Sequence, residues 1–328
     1  MSSLIVPVWT WVLLAVIVCV SVSIDLFAHR GEHTDSRKRA VAWSLAWIAL
    51  ALAFNVFVAV RFGLEAGEEF LAAYLLEKSL SVDNLFVFLL VFASLRIPVT
   101  EQRRVLTWGI AGAIVTRGVL IFAGAAAVRE WHALLWVFGG LLIVAAVKLL
   151  REPSPAAPSS SEGRLLRWLT RRMPWTPHLD GHRFVTRVRG RRVATPLLLA
   201  LIAIELTDVV FAIDSVPAAF AVTQEPFLIY SSNLFAILGL RALYIVLADV
   251  LSRLRYLRYG LAAVLAFAGA KLLLGSWIAI PPLVSVGVIA ACIGTAVAAS
   301  LRANRRDRRI SPGSPAESAA EPAPHTEC

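Results

Sequence analysis

The sequence predicts an all-α protein: a polytopic transmembrane helix bundle of about nine helices with inverted three-helix repeats. Of its 328 residues, 58% are hydrophobic and only 16% are charged, whereas about a quarter of the residues in a soluble domain are charged. The apolar residues form long blocks, and about 20 apolar residues in a helix span the hydrocarbon core of a bilayer. A water-soluble fold could not bury so many blocks of this length.

Nine apolar blocks are the predicted helices. They lie at residues 4–27, 41–61, 70–95, 105–128, 131–150, 194–223, 226–250, 258–277 and 281–301. The first block has no basic start and no clear cleavage site, and it exceeds the roughly 7–15 residues of a signal-peptide core. We therefore expect it to be retained as a helix.

Basic residues alternate between the connectors and predict the topology. Every odd-numbered connector and the tail are rich in arginine or lysine, whereas the even-numbered connectors are not. The positive-inside rule then predicts an external N-terminus and a cytoplasmic C-terminus, which nine crossings satisfy. Topology therefore accounts for the net charge of +10, and we expect no nucleic-acid partner.

The connectors also predict the division of the chain. We expect two N-terminal helices in 1–69, a first repeat in 70–150, a basic cytoplasmic linker in 151–193, a second repeat in 194–277, a last helix in 278–301 and a disordered tail in 302–328. In the linker, the segment from Pro153 to Gly163 has the composition of a disordered region. The segment from Arg164 to Met173 fits either a helix on the membrane surface or a solvated basic loop.

The two halves share four features in the same order. They are an acid and an aspartate six residues apart (Glu77 and Asp83, Asp208 and Asp214), a hydroxyl residue (Thr107, Ser231), an arginine (Arg117, Arg241) and a lysine followed by two leucines (Lys148, Lys271). Three helices separate the matching elements. Because three is odd, the second unit should cross the membrane in the opposite sense, as in the inverted repeats of secondary transporters.

Carboxylates inside the apolar blocks are the candidate site. They are Glu77, Asp83, Glu205, Asp208 and Asp214, with Asn84 and Ser215 beside two of them. Each carboxylate at the bilayer centre costs about 2.5–3.5 kcal/mol on insertion scales, so a function is expected of them. Oxygen ligands of this kind favour Mg²⁺, Ca²⁺ or Mn²⁺. The alternative is a salt-bridge network in which Lys78, Arg117 and Arg241 balance the acids.

The spacing of the acids restricts the helix geometry. Residues six apart point about 240° apart with roughly 9 Å of rise, so a straight helix cannot direct Asp208 and Asp214 to one ion. Either the helix breaks or the two acids serve different neighbours. Pro217 favours a break, because proline crowds the carbonyl of Ile213 and donates no hydrogen bond.

Two sequence segments resemble the signatures of a known membrane-protein family. YLLEKSLSVDNLFVF from Tyr74 and ELTDVVFAIDSVPA from Glu205 are similar to those of the TerC family, and the resemblance runs from about Asp25 to about Lys271. It implies the same site residues, a role in manganese homeostasis, mainly as an exporter, and a link to tellurite resistance.

From these observations we expect a Mn²⁺ exporter in a bacterial inner or plasma membrane, working by alternating access and without a resident cofactor. Its partners would be the divalent ion and the bilayer; the oligomeric state is left open. A second hypothesis is a non-transporting scaffold that supports metalation or assembly of exported proteins. We do not expect an enzyme, because the sequence has neither a Ser-His nor a Cys pair near the acids.

Overall fold

The protein is described by a computed structural model that covers residues 5–28, 37–131, 133–151, 167–188, 190–247, 256–275, 277 and 280–310. The N-terminal half contains α1 (Val8–Ala28), α2 (Arg37–Phe62), α3 (Leu64–Ser94), α4 (Val99–Glu130) and α5 (Leu134–Arg151). A short antiparallel hairpin follows, made of β1 (Val185–Val188) and β2 (Arg191–Ala194). The C-terminal half contains α6 (Pro196–Val222), α7 (Pro226–Ile237), α8 (Leu240–Leu247), α9 (Leu257–Leu274) and α10 (Pro282–Ile310).

The predicted class, an all-α polytopic bundle, is confirmed. Within the described ranges, seven helices are long and apolar enough to cross a membrane: α1, α2, α4, α5, α6, α9 and α10. Helix α3 is 31 residues long but carries Glu77, Lys78 and Asp83 along its length. Helix α3 begins at Leu64 directly after Gly63, whose φ is +103°, so the predicted boundary at residue 70 falls inside a helix.

The seventh apolar block is divided, contrary to the prediction of one helix. Helix α7 ends at Ile237, and α8 begins at Leu240. Between them Gly239 has a φ of +81°, a left-handed conformation that glycine adopts without a steric penalty. A Cβ on this residue would lie 2.7 Å from the Trp47 ring. The break therefore depends on glycine for both its dihedral angle and its close packing.

The predicted break near Pro217 is wrong. Helix α6 runs without interruption from Pro196 to Val222 with Pro217 inside it. Half of this span is buried against other helices, and neighbouring helices allow a membrane helix to tolerate proline. Helix α3 is also continuous through Glu77 and Asp83. With both helices unbroken, acids six residues apart point in different directions, and the other possibility, that they serve different neighbours, stays a prediction.

The described part of the basic linker forms a helical segment, one of the two alternatives for residues 164–173, and a hairpin that the sequence analysis did not predict. Residues 167–172 are helical, and β1 pairs with β2 through a turn at Gly190. Thr195, fully buried, ties this hairpin to the start of α6: its amide donates to the Phe184 carbonyl at 3.0 Å, and its hydroxyl donates to the Arg183 carbonyl at 2.8 Å. The predicted disordered segment 153–163 and the tail beyond residue 310 lie outside the described residues.

The two predicted repeats pack against each other reciprocally. Helix α3 contacts α6 and α7, while α4 contacts the same two helices, and α5 packs along α9. In a two-fold arrangement, a contact from the first helix of one repeat to the second helix of the other requires the same contact with the repeats exchanged. The α3–α7 and α4–α6 contacts are such a pair. At the α5–α9 crossing a Cβ on Gly269 would lie 2.9 Å from the Gly139 carbonyl oxygen, so the backbones touch there. A two-fold relation between the units would give these contacts, and the inverted orientation of the repeats stays a prediction.

The remaining helices surround this pair of three-helix units. Helix α2 packs on α3 and α8, and α10 packs on α3 and α9. An aromatic cluster joins α2, α3 and α7, with the Phe54 and Phe235 ring centroids 4.6 Å apart and those of Phe54 and Phe70 5.5 Å apart. Within this bundle, helices α3, α4 and α6 bring predicted charged residues together.

Candidate intramembrane charged site

Arg117, on α4, is the centre of the site. Only 1% of the residue is exposed. Its Nε donates a hydrogen bond to Oδ2 of Asp208 at 3.1 Å, and its Nη2 donates to Oδ1 at 2.8 Å. Such a bidentate pair between guanidinium and carboxylate is among the strongest polar contacts in proteins. The pair joins α4 of the first predicted repeat to α6 of the second.

Glu77, on α3, approaches Arg117 from another direction. It is 2% exposed, and its Oε1 forms an ion pair with Arg117 Nη1. One guanidinium therefore holds two buried carboxylates that come from different helices. A buried acid needs such a partner, because an ionised carboxylate without one is very costly in a low-dielectric interior.

Asn84, seven residues after Glu77 on α3, is the third side chain around Arg117. With its amide oxygen oriented toward Arg117, Oδ1 accepts a hydrogen bond from Nη2 at 3.2 Å, and the amide nitrogen donates to the Leu80 carbonyl at 3.2 Å. The structure thus brings together Glu77, Asn84, Arg117 and Asp208, which lie on three helices.

Glu205 lies beside this centre without joining it. It stands three residues before Asp208 on α6, so the two acids share a helix face. Its half-buried side chain lies against α4 at Gly112, where a Cβ would come within 2.5 Å of Oε2 and still closer to Oε1. Oε1 is buried and has no hydrogen-bond partner among the described residues. Gly112 therefore makes the space that this carboxylate occupies.

Asp214 and Ser215 lie further along α6. Asp214 is half-buried. The hydroxyl of Ser215 is buried and has no hydrogen-bond partner among the described atoms.

Lys78, a second predicted charge-balancing residue, contacts the end of another helix. The hydrogen bond that the structure describes for Lys78 runs from Nζ to the Ala236 carbonyl at 3.1 Å, so this cation lies at the C-terminal end of α7, where helix dipoles favour positive charge. The side chains of Asp83 and Arg241 lie outside the described residues, and their predicted roles stay predictions.

The charged centre resembles a salt-bridge network more than a preformed metal cage. Among the described side chains, no three His, Cys, Asp or Glu residues are grouped so that they could hold a metal ion. Arg117 takes the position between Glu77 and Asp208 that a cation would otherwise share. The predicted ligand role of these acids therefore requires a conformation in which the guanidinium has moved.

The fold and this centre define a class: a polytopic α-helical membrane protein with charged residues buried between two packed helical units. Comparison with known proteins identifies the family. The model of the integral membrane protein TerC family matches residues 62–308, and the chain belongs to that family. The predicted resemblance is thus confirmed. No solved structure matches the chain.

Relatives align along most of this chain. An uncharacterised membrane protein of Myxococcus xanthus is 45% identical over 297 residues, covering 90% of this chain and 92% of its own length. Alx of Escherichia coli (strain K12), named as a candidate membrane-bound redox modulator, is 42% identical and covers 85% of this chain and 90% of its own. The thylakoid membrane protein TERC of Arabidopsis thaliana is 42% identical over 77% of this chain and 66% of its own length.

Proposed function

We propose that the protein transports a divalent cation across the membrane by alternating access, with Mn²⁺ export the favoured case. The observation that carries the proposal is the Glu205 carboxylate, whose buried Oε1 has no hydrogen-bond partner among the described residues. It lies on the same helix face as Asp208, which Arg117 holds. A carboxylate left in this position is costly within a membrane, and a cation ligand is a reason to keep it.

The charges of the site favour a divalent ion. When ionised, Glu77, Glu205 and Asp208 carry three negative charges and Arg117 carries one positive charge, which leaves two negative charges in this part of the site. One divalent cation neutralises that excess. The donors are oxygen atoms, which suit Mn²⁺, Mg²⁺ and Ca²⁺ better than soft metals.

Arg117 provides a way to release the ion. A cation that enters at Glu205 competes with the guanidinium for Asp208, one helical turn away on α6. When the guanidinium returns to Asp208 and Glu77, it takes back an acid that the ion needs. Arg117 and Asp208 belong to different predicted repeats. Each exchange between the ion and the guanidinium would therefore also break or form a salt bridge between the two units. Proton exchange at the carboxylates would supply a driving force, and a flux that ignores an imposed pH gradient would exclude that coupling.

A redox effect and tellurite resistance both have to be compatible with the proposal. A redox effect of the kind in the name of Alx is compatible with transport of a metal that changes oxidation state, since the transporter itself need transfer no electron. Tellurite resistance would likewise follow indirectly from altered metal balance.

The second candidate function is the membrane scaffold, which the charged centre favours in one respect: Glu77, Arg117 and Asp208 form a closed network in the described conformation.

Transport by the purified chain distinguishes the two. The full chain is reconstituted in liposomes, and Mn²⁺ entry is followed with a trapped fluorescent dye, with Mg²⁺ and Ca²⁺ in parallel. We expect flux in the wild type that is lost in Glu205→Gln. The matched control is Glu130→Gln, which removes one carboxylate from an exposed position at the end of α4. No flux from a folded wild type, with or without a pH gradient, would contradict transport and favour the scaffold.

A further inference from the structure

The hairpin before α6 carries an arrangement of charge that its own fold does not explain. Arg187 on β1 and Arg192 on β2 are directly opposed in the antiparallel register, and both are exposed. Like charges opposite each other destabilise a strand pair. A protein with no use for this pair would lose nothing by replacing one arginine with a neutral residue.

Nearby acids do not neutralise this pair. Asp180 accepts a hydrogen bond from the Thr186 hydroxyl at 2.6 Å and lies 3.7 Å from Arg183. Glu101, on α4, is paired with His182 at 2.8 Å. Among the described residues, Arg187, Arg191 and Arg192 have no carboxylate within salt-bridge distance. The outer surface of the hairpin is therefore an uncompensated positive patch.

The position of the hairpin is fixed relative to the helices. Thr195 ties it to the first turn of α6, and Arg104 on α4 lies over the Phe184 ring at 5.6 Å from its centroid. The residue after Thr195 begins a helix that is apolar enough to cross the membrane. The patch consequently lies where the chain enters the bilayer, on the side that the arginine distribution predicts to be cytoplasmic.

Apolar side chains accompany the arginines. Val185 and Val188 of β1 are each 45% exposed, and Val185 is on the same face of β1 as Arg187 because alternate residues of a strand share a face. Exposed valines beside arginines suit an interface that has both headgroups and acyl chains, whereas a surface facing only water gains nothing from them.

We propose that the Arg187–Arg192 pair is a binding site for the phosphate group of anionic phospholipids in the adjacent leaflet. The planar guanidinium matches a phosphate with two hydrogen bonds, and a lipid phosphate between the opposed arginines removes their mutual repulsion. Because the hairpin is joined to both α4 and α6, which carry Arg117 and Asp208, lipid binding holds the ends of these two helices in one arrangement.

Hydrogen–deuterium exchange of the full chain in nanodiscs tests the site. The hairpin amides are compared in phosphatidylcholine alone and in phosphatidylcholine with increasing phosphatidylglycerol. We expect protection of residues 185–194 that rises with the anionic lipid. In the double variant Arg187→Gln/Arg192→Gln the affinity for the anionic lipid should fall about 25-fold, since each arginine near an anionic surface contributes roughly a fivefold factor.

A matched variant separates position from total charge. Arg151→Gln/Arg302→Gln removes the same charge from exposed positions at the end of α5 and near the end of the apolar span of α10, and it should leave hairpin protection unchanged. Equal protection in both lipids, or equal loss in both double variants, would overturn the proposal. So would protection in phosphatidylcholine that inorganic phosphate reproduces, because the site would then take a free anion. An unchanged thermal unfolding temperature shows that the hairpin variant is folded.

Discussion

Gly112 offers a way to move one carboxylate without changing any charge. In Gly112→Ala, the new Cβ would lie 2.5 Å from Oε2 of Glu205, whereas ordinary contact begins at 3.4 Å. The added Cβ meets the end of the flexible Glu205 side chain. The carboxylate, and not the backbone, therefore has to move away by about 1 Å. Alanine is also the better helix former by up to about 1 kcal/mol, so α4 itself should not be destabilised.

The displacement predicts a loss of transport without a loss of stability. Ligand distances in metal sites hold to about 0.2 Å, so a shift of about 1 Å removes Glu205 from the ligand set. Misplacement by 1 Å of a group that positions a reactant costs about 100-fold. We therefore expect Mn²⁺ flux in Gly112→Ala to fall by between about 10-fold and 100-fold, with the free energy of unfolding changed by less than about 1 kcal/mol.

Proteoliposome flux and thermal unfolding of the same preparations give the two quantities. Gly140→Ala is the matched control, because this glycine of α5 has nothing within 4 Å of an added Cβ, and both its flux and its stability should resemble the wild type. Adding Glu205→Asp to Gly112→Ala shortens the acid by about one carbon–carbon bond, roughly 1.5 Å, which relieves the contact but leaves the carboxylate short of its original position, so the flux should stay low.

Two results would refute this reasoning. Wild-type flux in Gly112→Ala would mean that the position of the Glu205 carboxylate does not matter for transport. A large fall in the unfolding temperature would mean that the added methyl group displaces α4 from α6 and that the side chain does not yield.

Two further substitutions test the packing of the site and of the broken helix. Arg117→Met should destabilise the protein by about 3–5 kcal/mol, because it leaves Glu77 and Asp208 as buried charges without their partner; an unfolding titration in mixed micelles measures this, and a change below about 1 kcal/mol would contradict the buried network. Gly239→Ala should cost about 1–3 kcal/mol, because alanine is strained at φ of +81° and its methyl group meets Trp47; an unchanged unfolding midpoint would refute the described break.

The class of the protein and the centre of its site could both be predicted from sequence. The length of the apolar blocks follows from the thickness of the bilayer, so membrane-spanning helices could be predicted. Arg117, Glu77 and Asp208 were predictable for a related reason: charged residues are so costly in a membrane that they must find each other. What the sequence left open was whether the acids gather round an ion or round an arginine.

The errors have a different origin. Pro217 was expected to break α6, yet the break lies at Gly239 in the next block. A proline removes one hydrogen bond, which neighbouring helices can tolerate, whereas a left-handed residue redirects the chain. Nothing in the letters around Gly239 distinguishes it from the other glycines, and the packing of Trp47 from α2 against it is a contact between residues distant in sequence. The hairpin was overlooked because its arginines were attributed to topology alone, although three of the four residues of β1 are β-branched.

The discontinuity between α7 and α8 limits how the two halves can exchange roles. Many proteins with inverted repeats switch access by giving each repeat the shape that the other had. Gly239 lies two residues before Arg241, and the residue two before Arg117 is Val115, which is in the middle of an unbroken α4. A β-branched residue is a steric outlier at positive φ, so α4 cannot bend where its counterpart does. The asymmetry is therefore built into the sequence, and if the proposed transport takes place, we expect the units to move as whole bodies and not to exchange shapes.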